Sequence, residues 1–270
     1  MERYITGEEN MSAYENIFEA AGKGTLEDVK TFVENGADVN AKKNGLTLAH
    51  MLMWRYREDK EHDAGVGNSI VEILEYLISN GMDVNALDDI EGGETPLHAA
   101  STANAPVEIL QCLIRNGAEI DAWMRKDGSR PLHCAVLGDT SLFMKTGRLT
   151  SILPSERALQ YLISQGANVN AGNEDRVTAL HLLTGAQEHD LMKYLISQGA
   201  DVNAQTKKGF TPLDMADKYD DTAKRILRSA GGRSGRSSSG GSCLVLLAIL
   251  GASLTAGICG LALFITVNMF

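Results

Sequence analysis

The sequence predicts an all-α solenoid of about six stacked helix-turn-helix units, followed by a flexible linker and one apolar C-terminal helix. Three observations carry this. The hexapeptide Gly-Ala-Asp-Val-Asn-Ala stands at residues 36–41 and again at 199–204, with relatives at 81–86, 117–122 and 166–171. A second signal, such as Thr95-Pro96-Leu97-His98, follows most copies. The last 28 residues, 243–270, contain no charged side chain. A turn signal repeated this often means that one supersecondary unit recurs, and such a stack grows unit by unit without a central core.

The first 11 residues are expected to be a short acidic lead-in without the apolar run of a secretory signal. Six units are then expected at about 12–43, 44–87, 88–123, 124–172, 173–205 and 206–231. Each should open with a helix at Thr47-Leu48-Ala49-His50, Thr95-Pro96-Leu97-His98, Arg130-Pro131-Leu132-His133, Thr178-Ala179-Leu180-His181 or Thr211-Pro212-Leu213-Asp214. Threonine caps a helix, and proline suits a first turn whose amide hydrogen has no partner. The first unit has Glu15-Asn16-Ile17-Phe18 at this place and the last has Asp214 for histidine, as polar end caps would.

A second helix in each unit is read from apolar residues at helical spacing, as in Ile70, Ile73, Leu74 and Leu77. Each ends at a glycine: Gly36, Gly81, Gly117, Gly166, Gly199 and Gly231. Glycine accepts the left-handed backbone that closes a helix. One such hairpin cannot hide its apolar stripe, so neighbours must stack.

These motifs resemble the ankyrin repeat family. The resemblance implies helical pairs with projecting turns, or fingers, and a protein-binding role without cofactor or reaction. Spacings between closing glycines run from 32 to 49 residues, against a family period of about 33. The surplus falls near residues 54–68 and 138–154, read either as lengthened elements or as a paired rim.

Charge and chemistry narrow the function. The formal net charge is −10; since 231–270 carry only Arg233 and Arg236, residues 1–230 hold −12, which disfavours nucleic-acid binding. Four scattered cysteines without a Cys-x-x-Cys pair suit a reducing compartment. His50, His98, His133 and His181 recur at one place in successive units. Equivalent positions lie about 10 Å apart along a stack, whereas metal ligands converge within about 2 Å of an ion. They are therefore expected to be structural, and His62 and His189 to lie in solvated turns. Gly22-Lys23-Gly24-Thr25 reads as a turn between helices, and no catalytic motif is found. No cofactor, metal site or enzymatic reaction is expected.

Partner contacts are expected on the fingers. Trp123, Met124 and Arg125 place a large aromatic where polar residues ordinarily serve, and Trp and Arg dominate interface energetics. Trp123 either contacts a partner or folds back onto the stack. Phe210, beside Lys207 and Lys208, is the other candidate.

Residues 232–242, rich in Gly, Ser and Arg, read as a flexible linker. Residues 243–270 are long enough to cross the roughly 30 Å hydrocarbon layer once. Basic residues before them predict a single-pass, tail-anchored chain with its stack facing the cytoplasm. Cys243 is a candidate acylation site, and Ala252, Ala256, Gly257 and Gly260 give the small-residue spacing of paired membrane helices. The expected function is a membrane-tethered scaffold recruiting a cytosolic protein. The alternatives are a membrane-assembly protein oligomerising through its span, or an effector of a host-associated bacterium.

Overall fold

The structure, a computed structural model, describes residues 14–59, 65–90, 92–138 and 154–235. Twelve helices among these residues form six consecutive pairs: α1 (Ile17–Lys23) with α2 (Leu26–Glu34), α3 (Leu48–Asp59) with α4 (Val66–Ser79), α5 (Pro96–Thr102) with α6 (Val107–Arg115), α7 (Pro131–Leu137) with α8 (Glu156–Ser164), α9 (Ala179–Ala186) with α10 (His189–Ser197), and α11 (Pro212–Met215) with α12 (Asp221–Ser229). The odd-numbered helices pack on one another in sequence order. The even-numbered helices form a second row, in which α2 meets α4, α4 meets α6, α6 meets α8 and α10 meets α12. The core lies between the rows, with Leu52, Leu74, Leu97, Leu110, Leu132, Leu159, Leu183 and Leu195 buried.

The first-row helices start where the motifs place them. In α5, the Thr95 hydroxyl and backbone N–H both meet His98 Nδ1, at 2.8 and 3.2 Å, while His98 N donates back to Thr95 Oγ1. Thr178 and His181 repeat the arrangement in α9, and Thr211 with Asp214 does so in α11. This reciprocal cap satisfies amide hydrogens that the helix cannot pair within itself. At the other end of each unit, the six closing glycines all have φ between 87° and 97°. A β-carbon there would be strained, which is why the sequence repeats glycine. After the first pair the chain makes a small hairpin, β1 (Lys42–Lys43) antiparallel to β2 (Leu46–Thr47), about Asn44-Gly45. Both turn residues have positive φ, the geometry that an Asn-Gly turn adopts.

Surplus residues in the second unit lengthen both helices, α3 to 12 residues and α4 to 14, against 7 to 9 in the unit that follows. The other insertion, including Phe143, lies outside the described residues at 139–153, as do His62, the lead-in 1–11, Cys243, Ala252, Ala256, Gly257, Gly260 and the whole apolar tail. Among the described residues no helix is long and apolar enough to cross a membrane.

Two expectations are corrected. His189 opens α10 instead of lying in a solvated turn; its Nε2 stands 2.8 Å from both carboxylate oxygens of Asp220, which caps α12. Gly and Ser composition placed the linker from 232, yet residues 232–235 are docked on the last unit. Gly232 N donates to Leu227 O at 2.8 Å, Arg233 N to Asn203 Oδ1 at 2.8 Å, and Gly235 N to Asp214 Oδ2 at 2.8 Å.

Candidate interaction surface

The hexapeptide asparagines tie each unit to the next. Asn40, Asn85, Asn170 and Asn203 donate through Nδ2 to the closing-glycine carbonyls of Gly81, Gly117, Gly199 and Gly231, at 2.8 to 3.2 Å. Each Oδ1 accepts from a backbone N–H two residues beyond that glycine. In the third unit Asp121 takes the place of asparagine, accepting from Asn168 N but having no hydrogen to donate.

A second ladder joins the finger tips through backbone alone. Asp89 N donates to Gly45 O, Lys126 N to Gly92 O, Glu174 N to Asp127 O and Lys207 N to Asp175 O, at 2.8 to 3.2 Å. Every finger is thus fixed by its neighbour, which makes the row a preorganised surface instead of independent loops.

Histidines supply a third, buried tie. Nε2 of His50, His98, His133 and His181 lies 2.9 to 3.1 Å from the carbonyls of Glu94, Ser129, Val177 and Phe210, each in the following finger. In His98, His133 and His181 a backbone N–H points at Nδ1, so that nitrogen accepts and Nε2 carries the proton. Burial holds His50, His98 and His133 at about 4 and lowers His181 as well. Among the described residues no group of three potential ligands is placed to hold a metal ion. Cys112 and Cys134 are free and buried, and burial raises both thiols.

On the third finger Trp123 is 55 % exposed, one of two exposed large hydrophobic residues among those described. The Arg130 guanidinium lies 3.9 Å from its ring centroid. Gly128, at φ +69°, faces the same ring so closely that a β-carbon would stand 2.9 Å from it. Arg130 Nη1 also donates to Asp121 O, while Arg130 Nε is buried and has no hydrogen-bond partner among the described residues. The ring forms one wall of an open cavity of about 580 Å³, shared with Asn173, Glu174, Arg176, Gln205 and Lys207 of the next two fingers.

The other sequence candidates divide. Arg125 is exposed, its side chain lying against Gly93. Met124 is half-buried, and its backbone closes the finger with Ser129 and Gly128. Phe210 is buried, at 9 % exposure, and its carbonyl takes the His181 hydrogen bond. Its expected place among projecting contacts is therefore corrected: it stands just before Thr211, the position that Glu94, Ser129 and Val177 hold in other units. Sequence reading missed Arg130 as the support of Trp123, although the departure from threonine at residue 130 was visible. It also missed Glu94, whose carboxyl is raised to about 7 by burial and then by the neighbouring Asp88.

Comparison with known proteins decides the family. A family model described as ankyrin repeats in three copies matches residues 62–143 and 152–234. The chain belongs to the ankyrin repeat family. The ankyrin stack is also similar to the crystal structure of the human ASB11 ankyrin repeat domain, with a TM-score of 0.61 at 22 % identity over 86 % of this chain and 90 % of that one. At that identity the likeness concerns the fold. No curated protein matches the sequence. Ankyrin repeats support a protein-interaction scaffold.

Proposed function

We propose that this chain is a non-catalytic scaffold of six ankyrin repeats, held at a membrane by residues 243–270 with its stack on the cytoplasmic side, and that it captures a protein partner around Trp123. The observation that carries the capture site is the half-exposed Trp123 ring, braced by Arg130 and Gly128 at the mouth of a cavity. A large aromatic held rigid before binding loses little conformational entropy on contact. The cavity offers a partner segment one ring face together with Glu174, Arg176 and Lys207, so both charge signs are available for orientation. Met124 and Arg125 lie on the same finger and extend this surface. The uncharged length of the tail supports the tether.

A photo-crosslinking side chain placed at residue 123, and separately at the exposed Asp190 of α10, tests the capture site. Adducts with one protein at 123 and none at 190 are expected; equal labelling from both would sink the site. Alkaline extraction of membranes tests the tether, with the full chain expected in the pellet and a chain ending at Ser242 in the supernatant.

A further inference from the structure

The second row of helices carries a charge gradient. Counting side chains, α2 and α4 each hold −2, α6, α8 and α10 are neutral with histidine uncharged, and α12 holds +2. The inversion continues past the helix. The residue two beyond each closing glycine is Asp38, Asp83, Glu119, Asn168 and Asp201 in the earlier units, but Arg233 in the last. Arg233 is docked through its backbone to Asn203 and Thr211, which fixes where its exposed side chain leaves the stack.

Three cations of this edge, Arg225, Arg228 and Arg233, are exposed, and among the described residues none makes an ion pair or a side-chain hydrogen bond. Lys224 differs: it donates to Lys218 O and faces Asp221 at 3.9 Å. Arg228 has a local reason to be cationic, since it lies in the last turn of α12 where the helix dipole favours positive charge. That reason does not reach Arg225 in the helix middle or Arg233 beyond its end. The same unit exposes Tyr219 at 79 %, with Lys218 Nζ 4.5 Å from its ring. Tyrosine beside cationic groups suits the headgroup level of a bilayer.

We propose that the basic edge formed by Arg225, Arg228 and Arg233 rests on anionic phospholipid headgroups and thereby sets the orientation of the stack against the bilayer. The surface rests in part on the tether reading, since residues 243–270 would bring this edge to a bilayer. Contact would hold the acidic α2 end away from the like-charged surface. Each basic side chain near an anionic leaflet multiplies occupancy about fivefold, and salt screens the effect over about a Debye length. A tethered stack therefore needs few such residues to take up one orientation.

The test uses the full chain with vesicles of phosphatidylcholine alone or with about 30 mol % phosphatidylserine, in the surface range where such lipids attract basic segments. An arginine-specific dicarbonyl reagent labels exposed guanidinium groups, read residue by residue, with exposed Arg157 on α8 as internal reference. Labelling of Arg225, Arg228 and Arg233 relative to Arg157 is expected to fall about fivefold on the anionic vesicles only, returning at high salt. In the R225E/R228E variant, protection of Arg233 should be lost while the chain stays folded, with only the small destabilisation that a negative charge in the last turn of α12 brings. Equal labelling on both vesicles with a chain that resists alkaline extraction overturns the headgroup contact and leaves the tether standing. Protection with a chain that extracts freely supports the contact and removes the tether. Equal labelling with a freely extracted chain overturns both.

Discussion

The guanidinium carbon of Arg130 lies 3.9 Å from the centroid of the Trp123 ring, at the one motif where arginine replaces a capping threonine. The exchange gives up a helix cap, worth about 1 kcal/mol, for a cation–π contact of about 0.5–1 kcal/mol at a partly exposed site. Arg130 Nη1 also donates to Asp121 O, so the exchange is close to neutral for stability, and its visible consequence is a Trp123 ring held in place. In a Trp54→Phe background, Arg130→Thr should alter the emission of Trp123 while thermal stability stays within about 1 kcal/mol of the parent. Trp123→Ala should be similarly mild for folding yet weaken partner capture by about 2 kcal/mol or more, as a central aromatic contact does. Unchanged capture by Trp123→Ala in a binding titration would remove this ring from the interface.

Four histidines in one buried file make the stack acid-sensitive. For His50, His98 and His133 the folded value of about 4 lies below the unfolded 6.5, so the unfolded chain takes up protons first as pH falls. The stability they contribute is complete above 6.5 and is lost as pH falls from 6.5 through 4. Each costs up to about 1.4 kcal/mol per pH unit within that window. Urea midpoints measured at pH 7.5 and 5 should therefore differ markedly, with the lower at pH 5. His98→Ala should lower stability by about 2–4 kcal/mol at pH 7.5, since it leaves Ser129 O unpaired and opens a void. The variant should also show a shallower loss toward pH 5.

The repeated features were legible because each unit poses the same physical problem: a helix to cap, a helix to close and a carbonyl in the next finger to satisfy. Threonine, histidine and glycine answer it at fixed spacing, so His98 could be placed as structural from its recurrence alone. Contacts that break the repeat were not legible. His189 meets Asp220 only because α10 and α12 lie side by side, across 31 residues of chain. Phe210 looks like a finger residue beside two lysines, yet the backbone turns its ring into the stack. Residues 232–235 hid the start of another hexapeptide turn within a composition that reads as linker. Asp88 and Glu94 are tied by a contact of the same kind: Asp88 is buried and Glu94 N donates to its Oδ1.

Glu94 should be a site where removing charge stabilises. Its carboxyl is raised to about 7 by burial and by Asp88, with Asp127 adding to the effect and Arg57 and Lys126 opposing it. A raised carboxylate stabilises the fold fully below the unfolded value of about 4.5 and loses that contribution as pH rises through 7. Glu94→Gln is thus expected to raise stability by about 1–2 kcal/mol at pH 8 and to change it little at pH 5. Denaturant unfolding of both proteins at the two pH values checks this, and a variant less stable at pH 8 would contradict it. The sign is opposite to that of the histidines, so the variant should also steepen the overall loss of stability toward acid.

Asp121 marks the junction between the third and fourth units as the one where the asparagine ladder loses a rung. Four asparagines in equivalent positions both donate to a closing-glycine carbonyl and accept a backbone N–H, while Asp121 only accepts, from Asn168 N at 3.2 Å. Among the described residues it makes no hydrogen bond to Gly166 O, the equivalent carbonyl, and a carboxylate has no proton with which to make one. Asp121→Asn supplies that donor and removes a negative charge from an already acidic face. Two opposing terms must be weighed: the charged acceptor is stronger than an amide, but its distances to Asn168 N, 3.2 and 3.3 Å, are long for a charge-assisted bond. The added bond should therefore win, raising stability by about 1 kcal/mol, and Asn170→Asp at the next junction should lower it by a similar amount. Hydrogen exchange of the Asn168 and Asp201 amides distinguishes a local repair from a general charge effect. Slower exchange at Asn168 alone in Asp121→Asn is expected, and uniform slowing across all junctions would assign the gain to charge instead.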